Sequence, residues 1–181
     1  PPTTADAGPV EIEQCDNSTF VMSANTPGVG TGTWTVVSGT ATITNPTSPT
    51  TTITGVPVGT TATLRWTISN GGCTPSSDDI DLINHEPPST ADAGLDKENC
   101  NDGNFTMTAV DPAIGSGTWS LVSGTATITT PGAFNTTITG VPAGTSATLE
   151  WRVENGTCAA SVDQVVITNL APPTTADAGP V

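Results

Sequence analysis

An internal repeat constrains this chain more than any other feature of its sequence. The segment Pro1-Pro2-Thr3-Thr4-Ala5-Asp6-Ala7-Gly8 recurs as Pro87-Pro88-Ser89-Thr90-Ala91-Asp92-Ala93-Gly94, and again as Pro172-Pro173-Thr174-Thr175-Ala176-Asp177-Ala178-Gly179. Between these starts Cys15 and Cys100, Phe20 and Phe105, Met22 and Met107, Trp34 and Trp119, Trp66 and Trp151, and Cys73 and Cys158 keep an offset of 85 residues. A fixed period marks units strung in series, so the fold must close within one period. The 181 residues divide into a repeat over 1–86, a second over 87–171, and residues 172–181, expected to be the first strand of a following repeat. Residues 172–181 match residues 1–10 letter for letter, which implies a longer tandem array with a 171-residue, two-repeat period.

Within each repeat the apolar residues alternate with polar ones, and helical periodicity is absent. Ala62, Leu64, Trp66 and Ile68 alternate with Thr61, Thr63, Arg65, Thr67 and Ser69; their counterparts Ala147, Leu149, Trp151 and Val153 alternate with Ser146, Thr148, Glu150, Arg152 and Glu154. The first set stays apolar while its neighbours change freely, as expected of a strand with one buried and one solvated face. The same pattern predicts strands around Phe20 and Met22, Trp34 and Val36, Ala41 and Ile43, Thr51 to Thr54, and Ile80 and Leu82, with a first strand near residues 9–13. Asn70-Gly71 and Asn155-Gly156 supply hairpin turns between the last two strands. About seven short strands per repeat, with frequent Gly and Pro turns, predict tandem seven-stranded immunoglobulin-like β-sandwiches, all-β and antiparallel. Trp34, Trp66, Trp119 and Trp151 fall in phase with the aliphatic positions, so they are assigned to the core rather than to a sugar-stacking platform.

The cysteines are read against this plan. Cys15 and Cys73 are 58 residues apart, as are Cys100 and Cys158, so each repeat is expected to own one disulfide joining the segment before its second strand to the turn before its last. A closed loop of that length stabilises by about 4 kcal/mol in the chain-entropy description. Zinc would need four ligands, and two cysteines per repeat without a neighbouring histidine do not supply them. Disulfides are therefore expected, and with them an oxidising extracellular or periplasmic setting.

Charge excludes several partners. The formal charge is −14, and Arg65, Lys97 and Arg152 are the only Lys and Arg residues. Nucleic-acid binding depends on cationic contacts to phosphate that this chain lacks, and docking on anionic lipid needs the same groups. No stretch approaches the roughly 20 apolar residues of a membrane span, and the first residues do not read as a signal peptide.

Several motifs together resemble a known family. Ala5-Asp6-Ala7-Gly8-Pro9, Gly32-Thr33-Trp34 and Gly117-Thr118-Trp119, the Gly-Val-Pro-x-Gly-Thr turns beginning at Gly55 and Gly140, and the Trp-x-x-x-Asn-Gly-x-Cys hairpins are similar to PKD-like, immunoglobulin-like repeats of large Bacteroidota surface adhesins. These include gliding-motility adhesins exported by the type IX secretion system. The resemblance covers both repeats. It departs from the PKD domain proper, whose Trp-Asp-Phe-Gly-Asp-Gly strand motif is replaced here by Trp34-Thr35-Val36-Val37, so no ligand of that motif carries over.

Catalytic constellations are scarce. His85 is the only histidine and its counterpart is Leu170, so general-base chemistry has no recurrent site, and the chain is expected not to be an enzyme. Of Asp78, Asp79 and Asp81, only Asp78 has an acidic counterpart, Asp163; acids on a solvent-facing edge or outer strand are the simpler reading of the cluster. Calcium is the sharper expectation: Asp6, Asp92 and Asp177 follow the Pro-Pro segments, and Asp78, Asp163 and Glu86 are candidates to reach the same junctions as oxygen ligands. The competing reading gives each Ala-Asp-Ala-Gly aspartate a turn-capping role with no metal and no other cofactor. Lys97 is the only lysine, which argues against Lys-to-Asn self-stapling in both repeats. Asn17, Asn104, Asn135 and Asn155 head N-x-S/T sequons, and Phe134 breaks the repeat symmetry either as a contact residue or as a core filler.

These features predict repeats from the shaft of a giant extracellular adhesin or cell-surface filament, with neighbouring repeats as partners and the bound surface unspecified. One alternative is a fibre of short subunits joined by strand complementation. Another is a module that itself binds glycans or surfaces.

Overall fold

The computed structural model describes residues 1–177 and Gly179; Ala178, Pro180 and Val181, the last part of the expected strand over 172–181, lie outside the described residues. The chain forms two compact units, one of Pro1–Pro87 with Gly156–Cys158, the other of Pro88–Asn155 with Ala159–Val181. No helix long and apolar enough to cross a membrane is present among the described residues.

Unit 1 contains β1 (Glu11–Cys15), β2 (Phe20–Val21), β3 (Thr31–Ser38), β4 (Thr42–Ile43), β5 (Thr52–Thr54), β6 (Thr60–Ser69) and β7 (Ser76–His85). One sheet has the order β1-β7-β6-β3 and the other β2-β5-β4. Their apolar faces meet in a core of Phe20, Met22 and Ile53 from the smaller sheet and its flank, against Trp34, Ala62, Leu64, Trp66, Ile68, Ile80 and Leu82 from the larger. Burying one such large side chain contributes about 1.5–3 kcal/mol. Trp34 and Trp66 stand opposite each other in the β3/β6 ladder, ring centroids 5.2 Å apart. Gly32 lies beside that pair because a Cβ there would land inside the Trp66 indole.

Unit 2 repeats the plan with β8 (Lys97–Cys100), β9 (Phe105–Thr106), β10 (Ser116–Ser123), β11 (Thr127–Ile128), β12 (Thr137–Thr139), β13 (Thr145–Glu154) and β14 (Ser161–Leu170). Its sheets run β10-β13-β14-β8 and β11-β12-β9. Trp119 and Trp151 form the matching pair, 5.2 Å apart, and Gly117 matches Gly32.

Three sequence expectations need correction. The sandwich is not wholly antiparallel: β1 runs parallel to β7 with Cys15 opposite His85, and β8 runs parallel to β14 with Cys100 opposite Leu170. This added strand puts β7 and β14 inside their sheets, not at an edge or on an outer position. Val36 and Leu121 do not continue the buried face of Trp34 and Trp119; they are 38% and 39% exposed. They lie on edge strands where the ladder shifts register, between Val36 and Ser38 and between Leu121 and Ser123.

The third concerns the disulfides. The bond present joins Cys15 to Cys158, with Cα atoms 4.9 Å apart, while Cys73 and Cys100 are free and exposed. Pairing within each repeat fails on strand length. Cys15 ends β1 beside the last residue of β7, whereas Cys73 precedes the first. A ten-residue strand is about 30 Å long, and a disulfide tolerates only about 7 Å between Cα atoms. The same holds in unit 2, where Cys100 lies beside Leu170 and Cys158 precedes Ser161. Equal spacing of 58 residues could not reveal this, because the cysteine positions recur identically whether a bond stays within a repeat or, as here, spans 143 residues into the next.

Candidate functional site

The site is built on the inward face of the last strand of each unit and on the cysteine beside its end. On β7 the period of two places Ser76, Asp78, Ile80, Leu82 and Asn84 on one face. Ile80 and Leu82 fill the core. The polar members hold passing backbone instead: the Ala5 amide donates to Ser76 Oγ at 2.9 Å, the Ala7 amide to Asp78 Oδ2 at 2.8 Å, and the Asn17 amide to Asn84 Oδ1 at 3.0 Å. Asn84 Nδ2 in turn donates to the Val56 carbonyl at 2.9 Å. In unit 2 the Ala91 amide donates to Ser161 Oγ at 2.9 Å and the Ala93 amide to Asp163 Oδ2 at 2.7 Å. Asn169 Nδ2 reaches the Val141 carbonyl at 2.8 Å, but its buried Oδ1 has no partner among the described residues.

The proposed calcium ligands thus have defined work. Asp78 and Asp163 face inward and anchor Ala7 and Ala93, which are buried. Asp6, Asp92 and Asp177 each accept the amide two residues on, from Gly8, Gly94 and Gly179, at 2.9, 2.9 and 2.8 Å. These are side-chain turns of the kind aspartate forms unaided. Gly8 at φ 103° and Gly94 at φ 82° occupy backbone that favours glycine. Among the described residues no group of three or more His, Cys, Asp or Glu is gathered to hold a metal. The neighbours of Asp78 separate in function: Asp79 pairs with Arg65 at 2.6 Å, and Asp81 accepts from Thr63 Oγ1 at 2.7 Å. Hydrogen bonding from the Arg65 guanidinium holds the Asp79 carboxyl below its ordinary pKa and raises that of Arg65.

His85 lies at the end of β7, its Nε2 3.2 Å from Glu13 Oε2. Gly156 packs so closely on the His85 ring that a Cβ there would overlap it. The residue after Cys15, Asp16, takes φ 47° and its amide donates to the His85 carbonyl at 3.0 Å. The segment Gly156–Cys158 belongs to unit 1, and Cys158 is buried beside Cys15. In unit 2, Asn101 takes φ 52° and its amide donates to the Leu170 carbonyl at 2.9 Å, yet Cys100 and Leu170 are exposed.

The tryptophans offer no stacking platform, since all four are buried. Phe134 is exposed, and its carbonyl takes the Trp119 Nε1 proton at 3.4 Å. Sequence reasoning missed Ser76, Ser161, Asn84 and Asn169; their signal was phase, two and four residues from Ile80, Leu82, Val165 and Ile167.

Comparison with known proteins bears on the fold. No family model matches the sequence, and comparison with curated proteins gives no match. Among solved structures, murine CEACAM1b is similar at 14% identity, over 93% of this chain and 99% of that chain, with a TM-score of 0.59. An I-band fragment from titin is similar at 14% identity, over 95% of this chain and 67% of that one, with a TM-score of 0.51. At these identities the likeness is one of fold: all-β, immunoglobulin-like sandwich.

Proposed function

We propose that this chain is a structural segment from the shaft of a large extracellular adhesin or cell-surface filament. Its modules are 1–86 and 87–171, and residues 172–181 begin a following repeat. One observation carries the reading: the disulfide joins the first strand of one sequence repeat to the last hairpin of the next, Cys15 to Cys158. A bond of that pattern secures serial order, which a shaft needs and a solitary binding domain does not. The buried tryptophans and the backbone-holding acids support it, because they leave each repeat's most distinctive residues in structural work. The charge of −14 keeps such a fibre soluble and discourages lateral association. The sequence resemblance to Bacteroidota adhesin repeats favours export by the type IX system and a part in surface adhesion or gliding.

The test is a reduced, denaturing gel of cell-surface protein, blotted with antibody raised against residues 1–181. A single polypeptide many times longer than this chain is expected. A short reduced subunit would instead establish the strand-complemented fibre and overturn the tandem shaft.

A further inference from the structure

The bonded and the free cysteines are the same two repeat positions seen twice. Cys15 and Cys100 each end a first strand, and Cys158 and Cys73 each sit in the last hairpin. Cys15 and Cys158 are joined; Cys100 and Cys73 are not.

The free halves already have the conformation of the bonded ones. Asn101, after Cys100, has φ 52° where Asp16, after Cys15, has 47°. Both amides donate to the carbonyl ending the last strand, Leu170 at 2.9 Å and His85 at 3.0 Å. In the hairpins, Gly71 has φ 54° and Gly156 φ 52°. What differs is cover. A Cβ at Gly156 would overlap the His85 ring, whereas a Cβ at Gly71 would meet nothing within 4 Å among the described residues. Leu170, at the position of His85, is 45% exposed. A hairpin Asn70-Gly71-Gly72-Cys73 laid on the end of unit 2 would cover Leu170 as Gly156 covers His85.

We propose that Cys100 forms a disulfide with Cys73 of a second copy of the 171-residue period. Successive periods are then joined Cys100 to Cys73, just as the repeats within a period are joined Cys15 to Cys158. The identity of residues 172–181 with 1–10 supplies the partner, because the sequence after Ala171 re-enters the first repeat. Bond formation removes two protons and two electrons from the paired thiols. A disulfide oxidant such as oxidised glutathione accepts them through a mixed disulfide and leaves as two thiols. This inference does not require the adhesin reading, since any serial assembly of these periods presents the same two thiols.

The test is a chain carrying residues 1–171 followed by residues 1–181, oxidised in glutathione buffer, alkylated, and digested without reduction. Each copy contributes four cysteines, two of them free in the single chain. The expected result is a peptide joining Cys100 of the first copy to Cys73 of the second, with two free thiols in the doubled chain. Cys100→Ser in the first copy raises that number to three. Four free thiols with both Cys15–Cys158 bonds intact, or Cys100 bonded to any other cysteine, overturns the proposal. Loss of the Cys15–Cys158 bonds overturns it as well, by removing its premise. A failure of the adhesin reading appears only in the surface-protein gel and leaves the peptide map unchanged.

Discussion

The end of β7 and the end of β14 share one backbone and differ in what covers it. At the first, Cys15 is bonded, His85 is paired with Glu13, and Gly156 packs on the imidazole. At the second, Cys100 is free and Leu170 is exposed, though the turn after the cysteine has the same sign of φ and the same hydrogen bond. The conformation is therefore written into each repeat, and the covalent closure is not. A second contrast lies at the start of these strands. β8 is one residue shorter than β1, and the Asp81 amide, bonded in unit 1 to the Val10 carbonyl at 3.0 Å, has as its counterpart the Val166 amide. In unit 2 the Asp96 side chain takes that amide through Oδ1 at 2.8 Å. A side chain stands in for the missing backbone acceptor.

The largest substitution effect should be blind to these differences. Trp66→Ala and Trp151→Ala each empty half of a buried indole pair, and each should cost about 3–5 kcal/mol in denaturant unfolding of its own unit. Unequal costs would mean that the two cores are not equivalent. The next effect should separate the ends. Cys158→Ser is expected to lower the stability of unit 1 by about 2–4 kcal/mol, whereas Cys73→Ser in the single chain should leave its thermal midpoint unchanged.

Removing the inward acid should again act equally. Asp78→Ala and Asp163→Ala each strand the amide of a buried alanine, at about 1–3 kcal/mol apiece, and saturating chelator should change neither wild-type melting nor these losses. A chelator-sensitive melt would restore the calcium reading. Asn84→Ala should exceed Asn169→Ala by about 1 kcal/mol, because Asn84 uses both ends of its amide while Asn169 leaves Oδ1 without a partner. The smallest effect is the Arg65–Asp79 pair, which is largely exposed. Its Asp79 has a folded-state pKa below the unfolded one, so its contribution is present above the ordinary carboxylate range and is lost as pH falls through the lowered value. Stability measured against pH should show this acid-side loss in wild type and not in Asp79→Asn; Glu150, at the position of Arg65, hydrogen-bonds Gln164 instead and gives unit 2 no counterpart.

What could be read from the sequence follows from which physics is local. Ala62, Leu64, Trp66 and Ile68 declare their face by alternation, and all four are fully buried. Asn70-Gly71 and Asn155-Gly156 fall between β6 and β7 and between β13 and β14 because glycine accepts the positive φ there. The parallel pairing of β1 with β7 is not local. Nothing in Glu11 to Cys15 states which strand it joins, and without that pairing Cys15 could not be placed at the His85 end. The inward roles of Ser76, Asp78 and Asn84 were hidden for a related reason. Phase placed them on the core side, but their acceptor roles depend on segments far away in sequence, Ala5–Ala7 for Ser76 and Asp78 and Asn17 for Asn84. Val36 failed in the opposite direction, its apolar phase interrupted by a register shift that composition does not announce.

Cysteine pairing in this chain runs from one sequence repeat to the next. It is tested most directly by alkylating the oxidised 181-residue chain, digesting it without reduction and identifying the linked peptides. A Cys15–Cys158 peptide with Cys73 and Cys100 both alkylated is the predicted result. Peptides linking Cys15 to Cys73 and Cys100 to Cys158 would contradict it.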